Sequence, residues 1–197
     1  FGFDLCVQRI PHEERARLDL STWRSAFSGA EPVRAGTIAR FTDAFAACGF
    51  QPEAFCPSYG LAEATLFVTG GQTGRPPSML SVDAQAFGAH TVVPAPAGAE
   101  AISVVGCGRS YLGLETLIVD PQDGTRCQDG KIGEIWVAGP SVAQGYWGRP
   151  QTTEETFRAR LASEPASAPS YLRTGDLGFL HEGELFVTGR LKDLIIL

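Results

Sequence analysis

Residue types suited to clamping a polar ligand lie in two short motifs, Tyr171-Leu-Arg-Thr-Gly-Asp176 and Gly189-Arg-Leu-Lys-Asp193. In the first, an acid follows a glycine, which suits a tight turn that presents the Asp176 carboxylate. In the second, Arg190, Lys192 and Asp193 share one segment that begins with glycine. The intervening Gly183-Glu-Leu-Phe-Val-Thr188 reads as a strand. A hairpin-like return would bring Asp176, an acceptor, close to Arg190, a donor. That pairing suits a pair of sugar hydroxyls beside a phosphate. The chain then runs into the apolar stretch Leu194–Leu197 and stops, which looks cut rather than finished.

A second group of candidates lies in Ser58-Tyr-Gly-Leu-Ala-Glu-Ala-Thr65. Ala54–Cys56 reads as a strand, Pro57–Gly60 as a loop and Leu61–Val68 as a helix. Open α/β sheets bind ligands at such strand ends. Tyr59 offers a flat face for a base, Gly60 lets backbone approach a phosphate, and Glu63, in the first helical turn, can hold a divalent cation. The plain alternative is that Tyr59 packs, Gly60 turns and Glu63 favours the helix N-terminus. Ser28-Gly-Ala-Glu-Pro32 is another strand-to-helix loop, and parallel topology places it on the same sheet edge as Tyr59.

The elements that must position these residues are read from periodicity. Pro11 opens a helix through Leu20, and Trp23–Phe27 reads as a strand. Ile38, Phe41, Phe45 and Cys48 form one helical face stopped by Gly49. Strand–helix–strand–helix order argues for a parallel α/β unit. Thr69 to about Val82 reads as a loop, and 83–105 is poorly patterned. Beyond it, Leu114–Val119, Gly133–Val137 and Leu185–Val187 read as strands, with one short helix near Thr153–Leu161. The second half is therefore a small β-rich unit, barrel-like in expectation, with a boundary at 105/106.

Composition narrows the class. The 197 residues suit one large domain or two small ones. A net charge of -6 with scattered basic residues argues against nucleic acid. No apolar run approaches the ~20 residues that span a bilayer. The N-terminus lacks both a signal-peptide pattern and a starting Met, so a cytoplasmic protein and an excised piece are the expectations. Five widely spaced cysteines form no metal or redox motif and read as free thiols. P-loop, dinucleotide, serine-hydrolase and zinc-protease motifs are absent.

Four segments, Tyr59-Gly-Leu-Ala-Glu63, Gly133-Glu-Ile-Trp-Val-Ala-Gly-Pro-Ser-Val-Ala-Gln-Gly-Tyr146 and the two opening motifs, occur in the order found in adenylate-forming enzymes. Within that superfamily the chain resembles fatty acyl-AMP ligases over nearly its whole length. The specific wording is Gly-Ala-Glu-Pro-Val, Tyr-Gly-Leu-Ala-Glu-Ala-Thr, Pro-Ser-Val-Ala-Gln-Gly-Tyr-Trp and Thr-Gly-Asp-Leu-Gly-Phe-Leu. The resemblance implies part of the family's large N-terminal domain, a parallel α/β subdomain followed by a small barrel-like one. Roughly Val82–Val105 would be the insertion that hinders transfer to coenzyme A, against the plainer reading of a variable surface loop. Ala62 stands where many relatives carry Thr, and fatty acyl-AMP ligases commonly share that alanine.

By the same resemblance, Gly29, Ala30, Glu31, Tyr59, Gly60, Leu61 and Ala62 would line the adenine and acyl-phosphate region. Glu63 would bind Mg²⁺ on the phosphates of ATP. Asp176 would accept from the ribose hydroxyls, Arg190 would donate to the ribose or phosphate side, and Asp193 would be the inter-domain hinge. The implied reaction joins a fatty acid to the α-phosphate of ATP, releases pyrophosphate and passes the acyl group to the phosphopantetheine of an acyl carrier protein. A phosphate loop before Phe1 and a C-terminal domain with its lysine after Leu197 would be missing, leaving the piece alone inactive. The alternatives are a long-chain acyl-CoA synthetase, distinguished by acyl-CoA product, and a non-catalytic carrier-docking module. Intact Glu63, Asp176 and Arg190 argue against the last.

Overall fold

The computed structural model describes residues 1–165 and 167–193. The apolar stretch Leu194–Leu197, and residue 166 of the Glu164–Ser170 loop, lie outside the described residues. The chain opens with helix α1 (Gly2–Arg9), in which Phe3, Cys6, Val7 and Ile10 recur on one face and pack on an aromatic core. The helix after Pro11 is a single turn, α2 (His12–Arg15), and does not reach Leu20. The Leu20 N–H donates to the Cys48 carbonyl at 2.7 Å, so the chain leaves the helix to meet that partner.

Strand β1 (Ala26–Ser28) leads to helix α3 (Ala35–Phe45), whose predicted face of Ile38, Phe41 and Phe45 is buried, with Gly49 beyond it at φ 82°. Phe41 meets Phe3, Phe50 and Phe55 with ring centroids 4.9, 5.0 and 5.7 Å apart. Full burial of each such side chain contributes about 1.5–3 kcal/mol. Helix α3 then crosses back to β2 (Phe55–Leu61), which pairs parallel to β1 with Ser28 opposite Pro57. The expected parallel unit is present.

Beyond Cys56 the structure departs from the expected loop and helix. Pro57–Gly60 is strand, and Leu61–Val68 is not helical. A 3-10 turn, Ala62–Ala64, reverses the chain into β3 (Leu66–Gly70), antiparallel to β2. Sheet pairing overrides local propensity here, because the hairpin buries Tyr59, Ala64 and Val68 in one core while a short apolar run is ambiguous in sequence. Gly60 makes the hairpin possible, since a Cβ there would overlap the Leu66 carbonyl oxygen. Gly60→Ala is expected to destabilise the fold at the upper end of the ~1–3 kcal/mol typical of overpacking. A urea midpoint equal to that of the parent would contradict this.

Three strands of the first sheet are thus β1, β2 and β3, and the fourth, β6 (Arg109–Ser110), comes from beyond residue 105. Strands β4 (Met79–Asp83) and β5 (Ala101–Val105) form a separate two-stranded sheet with the short helix α4 (Ala84–Gly88) between them. Each strand buries a single residue, Val82 in β4 and Val105 in β5, so neither five-residue run stands out from its surroundings in sequence. The second sheet is an antiparallel meander, β7 (Glu115–Val119), β8 (Gly133–Ala138), β9 (Leu172–His181) and β10 (Glu184–Arg190). Helix α5 (Pro150–Phe157) starts earlier than expected, with proline at its first position. One core cluster joins Tyr59, Ala64 and Val68 to Ile118, Ile135, Leu172 and Leu185, so the parts on either side of residue 105 share their interior. The five cysteines are unbridged, with Cys48, Cys56 and Cys107 buried. No helix among the described residues is long and apolar enough to cross a membrane.

Candidate functional site

The Asp176–Arg190 pairing is set by two irregularities in one hairpin. Strands β9 and β10 are joined by the two-residue loop Glu182-Gly183, at φ 50° and 77°, the left-handed pair that matches strand twist in a tight hairpin. Counting from that loop places Gly189 opposite Asp176. The register slips by one between Val187 and Gly189, leaving Thr188 as an extra residue, and Arg190 faces Asp176 instead. Its Nε donates to Asp176 Oδ1 at 3.0 Å. The expected hairpin return is therefore real, but it depends on a bulge.

Asp176 sits on a bulge of its own, not on the expected tight turn. Arg173 faces Trp136 and Leu177 faces Glu134, so Thr174, Gly175 and Asp176 together span what Ile135 spans alone. Gly175 takes φ 70° to allow it. The Glu134 carboxylate, on a residue only 2% exposed, fills the bulge from behind. It accepts from the Gly175 N–H at 3.1 Å, Arg173 Nε at 2.9 Å and Trp136 Nε1 at 3.0 Å. Thr174 Oγ1 donates to the Ile135 carbonyl at 2.7 Å and accepts from the Asp176 N–H at 3.1 Å.

From the other sheet, Tyr59 donates its hydroxyl to Asp176 Oδ2 at 2.8 Å. Burial, and after it the Asp176 charge, push the Tyr59 phenol far above its ordinary range, so it is a permanent donor. Tyr59 is thus buried and engaged through its hydroxyl. Each Asp176 oxygen has one protein donor and keeps acceptor capacity for another.

A cavity of about 310 Å³ opens beside this pair. Ala30, Glu31, Tyr59, Gly60, Asp176, Arg190 and Asp193 all line it, so most of the residues singled out in sequence converge. The parallel register of β1 and β2 brings Ala30 and Tyr59 to one edge. Gly29 lies just behind, where an added Cβ would stand 2.8 Å from the Ser58 carbonyl and hydroxyl oxygens. Ala30 holds φ 63°, a strained setting for a residue with a side chain. Glu31 is exposed at the rim of the cavity. Asp193 closes the 3-10 turn Leu191–Asp193 at the end of β10. Cys107 also lines the cavity, with its thiol pushed up to about 11 by burial.

Leu61, Ala62 and Glu63 do not line the cavity. Leu61 packs against the shared core, while Ala62 and Glu63 stand on the turn beyond the end of β2. One Glu63 oxygen, Oε1, accepts from the Tyr146 hydroxyl at 2.6 Å. No group of three His, Cys, Asp or Glu side chains among the described residues could cage a metal. A lone partly exposed carboxylate still fits Mg²⁺, which takes one or two carboxylates and completes its octahedron with waters and substrate phosphates.

Ser58, Val33 and Val187, which fall within the motifs or strands read from sequence but have no role assigned there, also line the cavity. Glu134 carries a sequence signal of its own. A charge inside the strand Gly-Glu-Ile-Trp-Val-Ala must be paired once that strand is buried.

The family model described as AMP-binding enzyme matches residues 2–147. The chain is 46% identical over its full length to a medium-chain-fatty-acid–acyl-carrier-protein ligase of Moorena producens, covering 33% of that protein. It is 47% identical to a 4-hydroxyphenylalkanoate adenylyltransferase of Mycobacterium marinum, again over its full length and 32% of that protein. Among solved structures, a fatty acyl-adenylate ligase from Legionella pneumophila in complex with acyl adenylate and pyrophosphate superposes with a TM-score of 0.91 at 48% identity, over 99% of this chain and 34% of the other. The chain thus spans about a third of the length of the curated relatives it matches.

Proposed function

The chain belongs to the AMP-binding enzyme family, and from that premise we propose that the whole protein is a fatty acyl-AMP ligase. The observation that carries the reading is the cavity in which Asp176, held by Tyr59 and Arg190, faces the Ala30–Glu31 loop. The relatives named for acyl adenylation agree with it. A fatty carboxylate oxygen bonds to the α-phosphorus of ATP, the bond from that phosphorus to the bridging oxygen breaks, and pyrophosphate leaves. In the second step a phosphopantetheine sulfur of an acyl carrier protein bonds to the acyl carbon, AMP leaves, and the thiol proton passes to solvent.

In this reading Asp176 accepts from the ribose hydroxyls, while Tyr59 and Arg190 hold its two carboxylate oxygens in place. Gly29, Ala30, Glu31 and Gly60 border the adenine and acyl-phosphate side, and their fixed backbone orients the reacting groups. Glu63 would hold Mg²⁺, which when bound neutralises phosphate charge. Asp193, at the end of the described chain, serves as the hinge toward a further domain of the whole protein. Residues 82–105 form the insertion that disfavours coenzyme A as acceptor. Backbone bonds from Val92 to Gly130 and from Ile132 to His90, at 2.8 and 3.1 Å, tie that segment to the β7–β8 loop.

The test supplies the whole protein with ATP, Mg²⁺ and a panel of carboxylates, and tracks acyl-AMP by mass spectrometry. Acyl-AMP with pyrophosphate from fatty acids, and thioester only on carrier protein, is the expected result. Acyl-CoA on adding coenzyme A would replace the reading with an acyl-CoA synthetase, and no adenylate at all would replace it with a docking module. The similarity to 4-hydroxyphenylalkanoate adenylyltransferases favours a second substrate reading, an aryl-ended carboxylate, which the same panel decides.

A further inference from the structure

The turn that carries Glu63 is strained. Thr65 and Leu66 adjoin one another at φ 56° and 79°, left-handed settings that side chains resist. Such a turn persists only if its surroundings hold it. Three hydrogen bonds do so, and all come from the segment between β8 and α5. The Ala143 N–H donates to the Glu63 carbonyl at 2.8 Å, Thr65 Oγ1 donates to the Ser141 carbonyl at 2.6 Å, and the Tyr146 hydroxyl donates to Glu63 Oε1 at 2.6 Å.

The first fixes the Glu63 backbone, and the second ties the Thr65 side chain to the Ser141 backbone. The third fixes a carboxylate, and the donor is itself immobilised. The Tyr146 ring meets the buried Phe157 edge-on, with centroids 5.0 Å apart. Its N–H donates to Thr153 Oγ1 at 2.9 Å. Gly145 permits that approach, because a Cβ there would overlap the Thr153 side chain. Tyr146 is therefore clamped at ring and backbone, with its hydroxyl delivered to one oxygen of Glu63. A glutamate on a strained surface turn would otherwise sample many rotamers, each with its carboxylate elsewhere.

We infer that Tyr146 is a positioning residue: it pins Glu63 Oε1 so that the other oxygen is held out for a phosphate-bound divalent cation. The inference rests on the reading of Glu63 as the Mg²⁺ ligand. Outer groups that orient a ligating side chain govern metal affinity strongly.

Tyr146→Phe and Glu63→Gln in the whole protein separate the possibilities, with ATP binding measured by calorimetry with Mg²⁺ and with a chelator. The phenylalanine keeps the ring on Phe157. Its expected effect is roughly a tenfold loss of Mg·ATP affinity, with metal-free ATP binding within about twofold of the parent. Its melting temperature should stay within about 2 °C, as for a change that leaves packing intact. Glu63→Gln should abolish the gain that Mg²⁺ confers. If Glu63→Gln does so and Tyr146→Phe does not weaken Mg·ATP binding, the positioning role falls and the Glu63 reading stands. If neither variant alters the metal dependence, both fall. A parallel loss of melting temperature and of metal-free binding in Tyr146→Phe would reduce the tyrosine to a structural strap and overturn the inference.

Discussion

Asp176→Ala in the whole protein is expected to lower fatty-acid-dependent ATP–pyrophosphate exchange by tens-fold or more. A hydrogen bond to a charged group contributes roughly 1.5–3 kcal/mol, and about 1.4 kcal/mol is a factor of ten in rate. If Asp176 accepts from both ribose hydroxyls, loss of the carboxylate removes two such bonds. It also strands the buried Tyr59 hydroxyl and frees the Arg190 guanidinium, whose only anchor among the described residues is Asp176. Asp176→Asn keeps the shape and one acceptor, so its loss should be smaller than that of the alanine variant. Steady-state exchange with ATP varied provides the measurement. An unchanged rate at subsaturating ATP would sink the ribose assignment and leave the Asp176–Arg190 pair as a structural bond between strands.

Glu134→Ala should destabilise the second sheet strongly. The carboxylate is buried, and three donors converge on it: the Arg173 guanidinium, the Trp136 indole and the Gly175 N–H. Removing one partner of a buried ion pair costs about 3–5 kcal/mol. Arg173 is 37% exposed and can recover some hydration, so the low end applies. For a domain of this size about 3 kcal/mol corresponds to a melting temperature lower by roughly 6–12 °C. Glu134→Gln retains an acceptor for Gly175 and should lose less. Because Gly175 sits between Glu134 and Asp176, the alanine variant should also loosen the bulge and raise the ATP requirement of whatever protein remains folded. Calorimetric melting of both variants decides the matter, and equal melting temperatures for the parent and Glu134→Ala would refute the weight placed on this carboxylate.

Asp176 and Glu134 thus occupy the front and the back of one bulge. Asp176 is visible in sequence because Thr-Gly-Asp is a compact local signal, and Arg190 because Gly-Arg-Leu-Lys-Asp is another. A strand between them is enough to anticipate that the two segments meet. It is not enough to identify the partner of Asp176, since an unbroken hairpin would put Gly189 there, and only the extra Thr188 brings Arg190 into place. A one-residue slip changes which side chain faces which, and single-sequence patterning does not reveal where a strand slips.

The same division runs through the first sheet. Helix α3 is legible because Ile38, Phe41 and Phe45 lie on one face over several turns and Gly49 marks the stop. The segment after Tyr59 reads wrongly as helix, since Ala-Glu-Ala has high helical propensity over only a few residues. Long-range pairing of β3 with β2, and the space left by Gly60, outweigh such weak local preference. Tyr59 lines the cavity, as its type suggests, but residue type alone does not name the partner of its hydroxyl, an acid 117 residues away.

By itself the sequence determined the α/β and β-rich character and the family, and it singled out candidate residues for chemistry, because these rest on local motifs and short-range periodicity. Tertiary structure alone decided that Tyr59 and Arg190 hold opposite oxygens of Asp176, that Glu134 supports it from behind, and that Tyr146 reaches Glu63. Each of these contacts depends on bulges, register and close backbone approach. Those are set by the packing of one strand on another and leave no period in the sequence to read.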